Sequence, residues 1–143
     1  NTPSMMCVED FLDVLNWSEE IGGLEELIRR SKDNLNIIKD WVSSSTWVDF
    51  LCEDLNNLSN TSICLKFVDT KLTTKSIETK NIIEKNIIKL LEENKVAFDI
   101  GSYKSAPPGL RIWGGPTVEN DDLKKLLPWL DWAYYKSLCD LDI

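Results

Sequence analysis

The residues best suited to chemistry lie in the run Ala106 to Glu119, APPGLRIWGGPTVE. Arg111 stands there between Leu110 and Ile112, so in a short strand the two apolar side chains share one face and the guanidinium takes the other. Two prolines and a glycine precede it and a Gly-Gly-Pro corner follows, residue types that hold backbone in turns. A cation fixed this way at a sheet edge suits a carboxylate, which its planar fork of donors grips through two parallel charge-assisted bonds. On local pattern alone, a partly exposed strand arginine with no ligand is the competing reading.

Other common chemistries lack their residues. The chain contains no histidine, which removes the usual general base and the usual hydrolase triads. Cys7, Cys52, Cys64 and Cys139 are widely separated and never form a CxxC pair. Neither a zinc site nor a redox motif is indicated, and reduced, structural thiols in the cytosol are expected. A net charge of -8 argues against a nucleic-acid partner, since phosphate binding needs a basic face. There is no apolar run long enough to span a bilayer and no opening secretory signal, so a cytoplasmic protein with no membrane partner is expected. At 143 residues, 43% hydrophobic and 28% charged, the chain suits one globular domain, or one domain with a packing arm.

The elements that must position Arg111 follow from periodicity. A first helix is expected from Pro3 and Ser4 to Gly22-Gly23, burying Met6, Phe11, Val14, Leu15 and Trp17. A second runs from about Leu24 to Val42 on Leu24, Leu27, Ile28, Leu35, Ile38, Trp41 and Val42, its charges forming a solvated face. Strands are expected at Trp47 to Leu51 and at Thr61 to Val68, where Ile63, Leu65 and Phe67 share a face. Ser76 caps a helix ending near Asn94, with Ile83, Ile87, Leu90 and Leu91 inward. Val96, Phe98 and Ile100 alternate as a brief strand, and a loop carrying Tyr103 and Lys104 leads to the Arg111 strand.

The last helix starts near Thr117 and buries Leu123, Leu127, Leu130 and Tyr134, with Trp129 and Trp132 extending that surface. Pro128 should kink or restart it, and the tail beyond Cys139 should fray. This order predicts an α+β fold, a small, mainly antiparallel sheet covered by helices on one face.

Three separated segments carry a family resemblance. YKSAPPGLRIWGGPTVENDDL with WLDWA, NTPSMMCVEDFLDVL at the start and SNTSICLKFVD in the middle resemble the C-terminal part of the phosphoserine aminotransferase family. The resemblance implies the type I fold of enzymes that use pyridoxal 5'-phosphate. Residues 1–22 would then be a helical arm of the large domain and dimer interface, and residues 23–143 the connecting helix and small C-terminal domain. The implied activity is transfer of an amino group from glutamate to 3-phosphohydroxypyruvate in a homodimer, giving phosphoserine and 2-oxoglutarate for serine biosynthesis.

The resemblance also assigns roles. Arg111 matches the clamp on the substrate α-carboxylate. Asn1 and Thr2 match residues that reach the cofactor phosphate of the other subunit; their own pattern reads only as a helix-capping turn. Some members carry a His-Arg pair before the carboxylate arginine where this chain has Tyr103-Lys104-Ser105, which leaves Lys104 as the candidate positive charge for the substrate phosphate. The Schiff-base lysine lies upstream of the NTPS motif, so the chain is expected to begin inside a longer polypeptide, to need its own N-terminal cofactor-binding domain, and to be inactive alone. The alternative is a free-standing, non-catalytic α+β interaction or regulatory module, which would have no lysine-bearing domain before Asn1.

Overall fold

The computed structural model describes residues 4–143. Four helices, α1 (Met5–Glu20), α2 (Gly23–Ser44), α3 (Ile77–Glu93) and α4 (Asn120–Asp140), accompany three strands, β1 (Val48–Phe50), β2 (Ser62–Phe67) and β3 (Gly109–Trp113). The strands form one antiparallel sheet in the order β1-β2-β3, with Phe50 opposite Leu65 and Ile63 opposite Ile112. Val48, Phe50, Ile63, Leu65, Leu110 and Ile112 are buried with the inner faces of α2, α3 and α4 in one core. The alternate residues Asp49, Cys64, Lys66, Arg111 and Trp113 retain exposure on the opposite face. The expected α+β arrangement, a small sheet covered on one side, is therefore present.

The helix ends explain where the chain turns. Ser76 accepts from the Thr79 N–H and caps α3, as its sequence position implies. At the other end Lys95 adopts φ 56°, and the amides of Lys95 and Val96 bond back to Glu92 and Leu91. Asp142, at φ 54°, closes α4 in the same way, with Asp142 and Ile143 bonding to Cys139 and Leu138. Both are Schellman closures, which satisfy the last carbonyls of a helix. The tail predicted to fray is instead tied down, and Leu141 and Ile143 pack against the core.

Other expectations also change. The strand predicted over Val96, Phe98 and Ile100 shrinks to one bridge, Gly101 opposite Leu110, with Arg111 N–H donating to the Ile100 carbonyl at 2.8 Å. Left-handed residues at Lys95 and Asp99 prevent an extended run between them, and Phe98 points outward at 67% exposure. The stripe predicted to be buried on α1 is not: no α1 residue is buried, and Met6, Phe11, Val14 and Leu15 are exposed, as are Leu24 and Ile28 at the start of α2. Their partner surface is not supplied by the described residues.

Helix α4 passes through Pro128 without restarting, and begins at Asn120 rather than Thr117. Trp129 and Trp132 stay 40% exposed, their rings edge-to-face at 5.3 Å. They line a shallow groove of about 420 Å³ with Asn94 and Pro128.

Polar groups fix how α2 meets the rest. Asn34 is fully buried; its amide donates to the carbonyls of Gly114, Gly115 and Val118, and its oxygen accepts from Asn120. Arg30, expected on the solvated face, is drawn in by the Pro116 carbonyl at 2.6 Å and by Glu119. Together they fasten the corner that ends β3 onto α2. Replacing Asn34 with Leu takes the side-chain donor from the buried Gly114 carbonyl and the part-buried Val118 carbonyl, while Gly115 keeps the Val118 N–H, and is expected to cost at least about 1–3 kcal/mol, read as a lower urea midpoint at unchanged slope.

Candidate functional site

Burial of its neighbours aims Arg111. Leu110 and Ile112, 1% and 2% exposed, are locked into the core, and the strand alternation turns the residue between them onto the open face, opposite Cys64. The Arg111 side chain remains 21% exposed. Its Nη2 donates to Asp99 Oδ2 at 2.9 Å and to the Asp99 main-chain oxygen at 3.2 Å. The Tyr103 ring lies over the guanidinium carbon at 4.7 Å, within cation-π range. Nε is buried with no acceptor. The hydrogen bond to Asp99 raises the arginine's already high pKa, partial burial opposing it, so the group is a fixed cation at any working pH. It can bind and orient an anion but cannot transfer protons.

The loop over Arg111 is closed at its base by Glu84. This α3 carboxylate is 9% exposed; Oε1 accepts from the Ser102 N–H at 2.8 Å and the Ser102 hydroxyl at 2.7 Å. Oε2 faces the Gly109 N–H at 3.4 Å, so both ends of the loop meet one side chain. Gly109 is required where β3 begins, because a Cβ there would sit 2.0 Å from the Leu65 carbonyl oxygen. Inside the loop a turn closes with Ala106 N–H on the Tyr103 carbonyl at 2.9 Å.

Lys104 is exposed in that turn and enters no ion pair among the described residues. The structure thus brings Lys104 and Arg111 to the two arms of one loop-and-strand unit. Asn1 and Thr2 lie outside the described residues.

Glu84, Asp99 and Tyr103 were not identified as site residues by sequence reasoning, and Asn34 was not singled out at all. Two of them carried a readable signal. Asn34 sits seven residues after Leu27 and four before Ile38, and Glu84 three before Ile87 and seven before Leu91, so each is a polar residue on an apolar stripe. Asp99 carried none, since its left-handed backbone is not visible in a single aspartate.

Comparison with known proteins gives this geometry a setting. No family model matches the chain. The phosphoserine aminotransferases of Methanosarcina barkeri and Methanosarcina mazei are 47% and 46% identical to it over 136 and 134 residues, 94% of the chain in each case. Among solved structures, phosphoserine aminotransferase from Bacillus circulans subsp. alkalophilus shares the fold with a TM-score of 0.75 over 95% of the chain, at 23% identity.

The similarity in sequence to the two Methanosarcina enzymes runs through nearly every element described above. The chain is similar to phosphoserine aminotransferases over 94% of its own length and spans about a third of the length of the relatives it matches, 34% in each. The resemblance read from the three sequence segments is borne out.

The role of Glu84 is measurable. Its bonds to the loop are of the charged type, worth about 1.5–3 kcal/mol. Glu84→Ala is therefore expected to speed amide exchange in residues 102–109 by about tenfold or more, while the amides of Ile87 and Leu91 keep their protection.

Proposed function

We propose that this chain supplies the substrate-carboxylate clamp of a pyridoxal phosphate-dependent phosphoserine aminotransferase. The enzyme transfers the amino group of L-glutamate to 3-phosphohydroxypyruvate, giving phosphoserine and 2-oxoglutarate. The observation that carries the reading is Arg111 itself: a fixed, part-exposed cation on the sheet face away from the helices, with one buried donor, Nε, unpaired. A buried N–H without an acceptor is costly, and an incoming carboxylate is the group that uses an arginine fork best. Both substrates and both products carry an α-carboxylate, so one clamp serves the two halves of the exchange.

The remaining assignments follow the family. Residues 1–22 act as a helical arm of the large domain and dimer interface, and residues 23–143 as the small domain; the exposed apolar side of α1 supports this division. Lys104 supplies positive charge to the substrate phosphate, a role favoured by its exposed, unpaired position beside Arg111's loop. Asn1 and Thr2 contact the cofactor phosphate across the homodimer. Pyridoxal phosphate, when bound, supplies the electron sink for the exchange.

The described residues fit the substrate end of such a site, through the unpaired Nε, and the Schiff-base lysine is supplied by the chain's own N-terminal domain. The four thiols are unpaired and no described helix is long and apolar enough to cross a membrane, and the enzyme is assigned to the cytoplasm.

In the complete enzyme, Arg111→Ala is expected to raise KM for glutamate and for 3-phosphohydroxypyruvate together. Loss of a charged hydrogen bond worth about 1.5–3 kcal/mol corresponds to roughly ten- to hundredfold. Unchanged KM for both rejects the clamp. Lys104→Ala is expected to raise KM for the phosphorylated keto acid while leaving that for glutamate nearly unchanged; equal values for the two substrates would remove Lys104 from the phosphate site.

A further inference from the structure

The clamp is not free to grip a ligand as it stands. An arginine has two ways to hold a carboxylate with parallel bonds, side-on through Nε and Nη2 or end-on through Nη1 and Nη2. Both use Nη2. Both hydrogen bonds that Nη2 makes go to one residue, Asp99, through Oδ2 at 2.9 Å and the main-chain oxygen at 3.2 Å. Nε has no partner, and the Tyr103 ring lies against the guanidinium carbon.

We infer that Asp99 is an internal stand-in for the substrate carboxylate, which a substrate must displace from Nη2 before Arg111 can bind it with both prongs. This rests on the proposed role of Arg111 and adds the residue that sets how readily that role is taken up.

Three features suit Asp99 to this exchange. It presents the same functional group as the ligand it would yield to. Its side chain is 90% exposed on the far side of the pair, so it leaves Nη2 for water without crossing a barrier of packed atoms. Its backbone is held at φ 53°, one of three described non-glycine residues with positive φ. Lys95 and Asp142 take that conformation to close helices; Asp99 closes none, and the turn instead brings its carboxylate and its carbonyl to Nη2 together.

An exposed ion pair of this type is worth about 0.2–1 kcal/mol, so its removal changes ligand affinity by a small factor, about 1.5- to fivefold, and in a fixed direction. A competitor that is taken away lets the ligand bind more tightly, whereas a strut that is taken away lets it bind more weakly.

The test uses the complete enzyme, with Asp99→Asn and Asp99→Ala, each alone and combined with Arg111→Ala. Expected for both Asp99 variants is a fall in KM for glutamate and for 3-phosphohydroxypyruvate of about 1.5- to fivefold with kcat unchanged. Calorimetric titration of the cofactor-free enzyme with glutarate, a dicarboxylate with no amino group to react, should show a matching gain in affinity. In the Arg111→Ala background neither Asp99 change should have any effect, because Asp99 acts only through Nη2.

A KM that rises in Asp99→Asn makes the residue a support for the guanidinium and overturns the inference, as does a KM that stays the same in both variants. If Arg111→Ala alone leaves KM unaltered, the clamp reading itself fails. That outcome is distinct from a working clamp whose affinity ignores Asp99.

Discussion

Everything at the site depends on the seating of Leu110 and Ile112 in the core. These two side chains fix the register of β3 against β2 and, through strand alternation, decide where the residue between them points. The guanidinium of Arg111 does not hold itself in place; apolar burial one residue to either side does that. The strand is further constrained at its two ends by polar contacts of opposite origin. Glu84 on α3 receives the chain as it enters at Gly109, and Asn34 on α2 receives it as it leaves at Gly114. Each is a buried polar group bonded mainly to backbone at an end of the strand, the kind of contact that fixes one arrangement among several apolar packings of similar energy.

This division of labour explains what sequence reasoning read well and what it did not. The inner faces of β2, α3 and α4 were legible because apolar periodicity and burial coincide there, as at Ile63, Leu65, Ile83, Ile87 and Leu130. Arg111 was legible because its neighbours are unambiguous strand residues. The stripe on α1 was equally periodic, yet Phe11 is 62% exposed. Periodicity reports that a face is apolar, not which surface covers it.

The fourth strand failed for a different reason. Val96, Phe98 and Ile100 alternate correctly, but left-handed conformations at Lys95 and Asp99 are set by tertiary and capping contacts that neither residue type announces. Asp99 and Tyr103 joined the site through those same contacts, and so were invisible to a reading of pattern.

Electrostatics at the site are economical. One guanidinium meets one carboxylate and one aromatic face, while the buried carboxylate of Glu84 pairs with no cation among the described residues and relies on three N–H and O–H donors. A buried carboxylate held only by dipoles is tolerated when N–H and O–H donors meet both of its oxygens. The arrangement keeps the guanidinium of Arg111 on the sheet face away from the helices, paired with the exposed Asp99.

Away from the site, the aromatic centre of the domain has an optical consequence. Trp47 and Tyr134 stack at 4.2 Å with their planes 8° apart, and Trp41 meets Trp47 edge-on at 5.7 Å. Both indole N–H groups donate to Asp131, and the Tyr134 hydroxyl donates to Asp69. Rings held so closely in one asymmetric orientation give rise to circular dichroism in the near ultraviolet, a signal that vanishes when side-chain packing loosens even if the helices persist. The domain therefore carries its own spectroscopic gauge of a packed interior, and none of the rings that generate it belongs to the loop around Arg111.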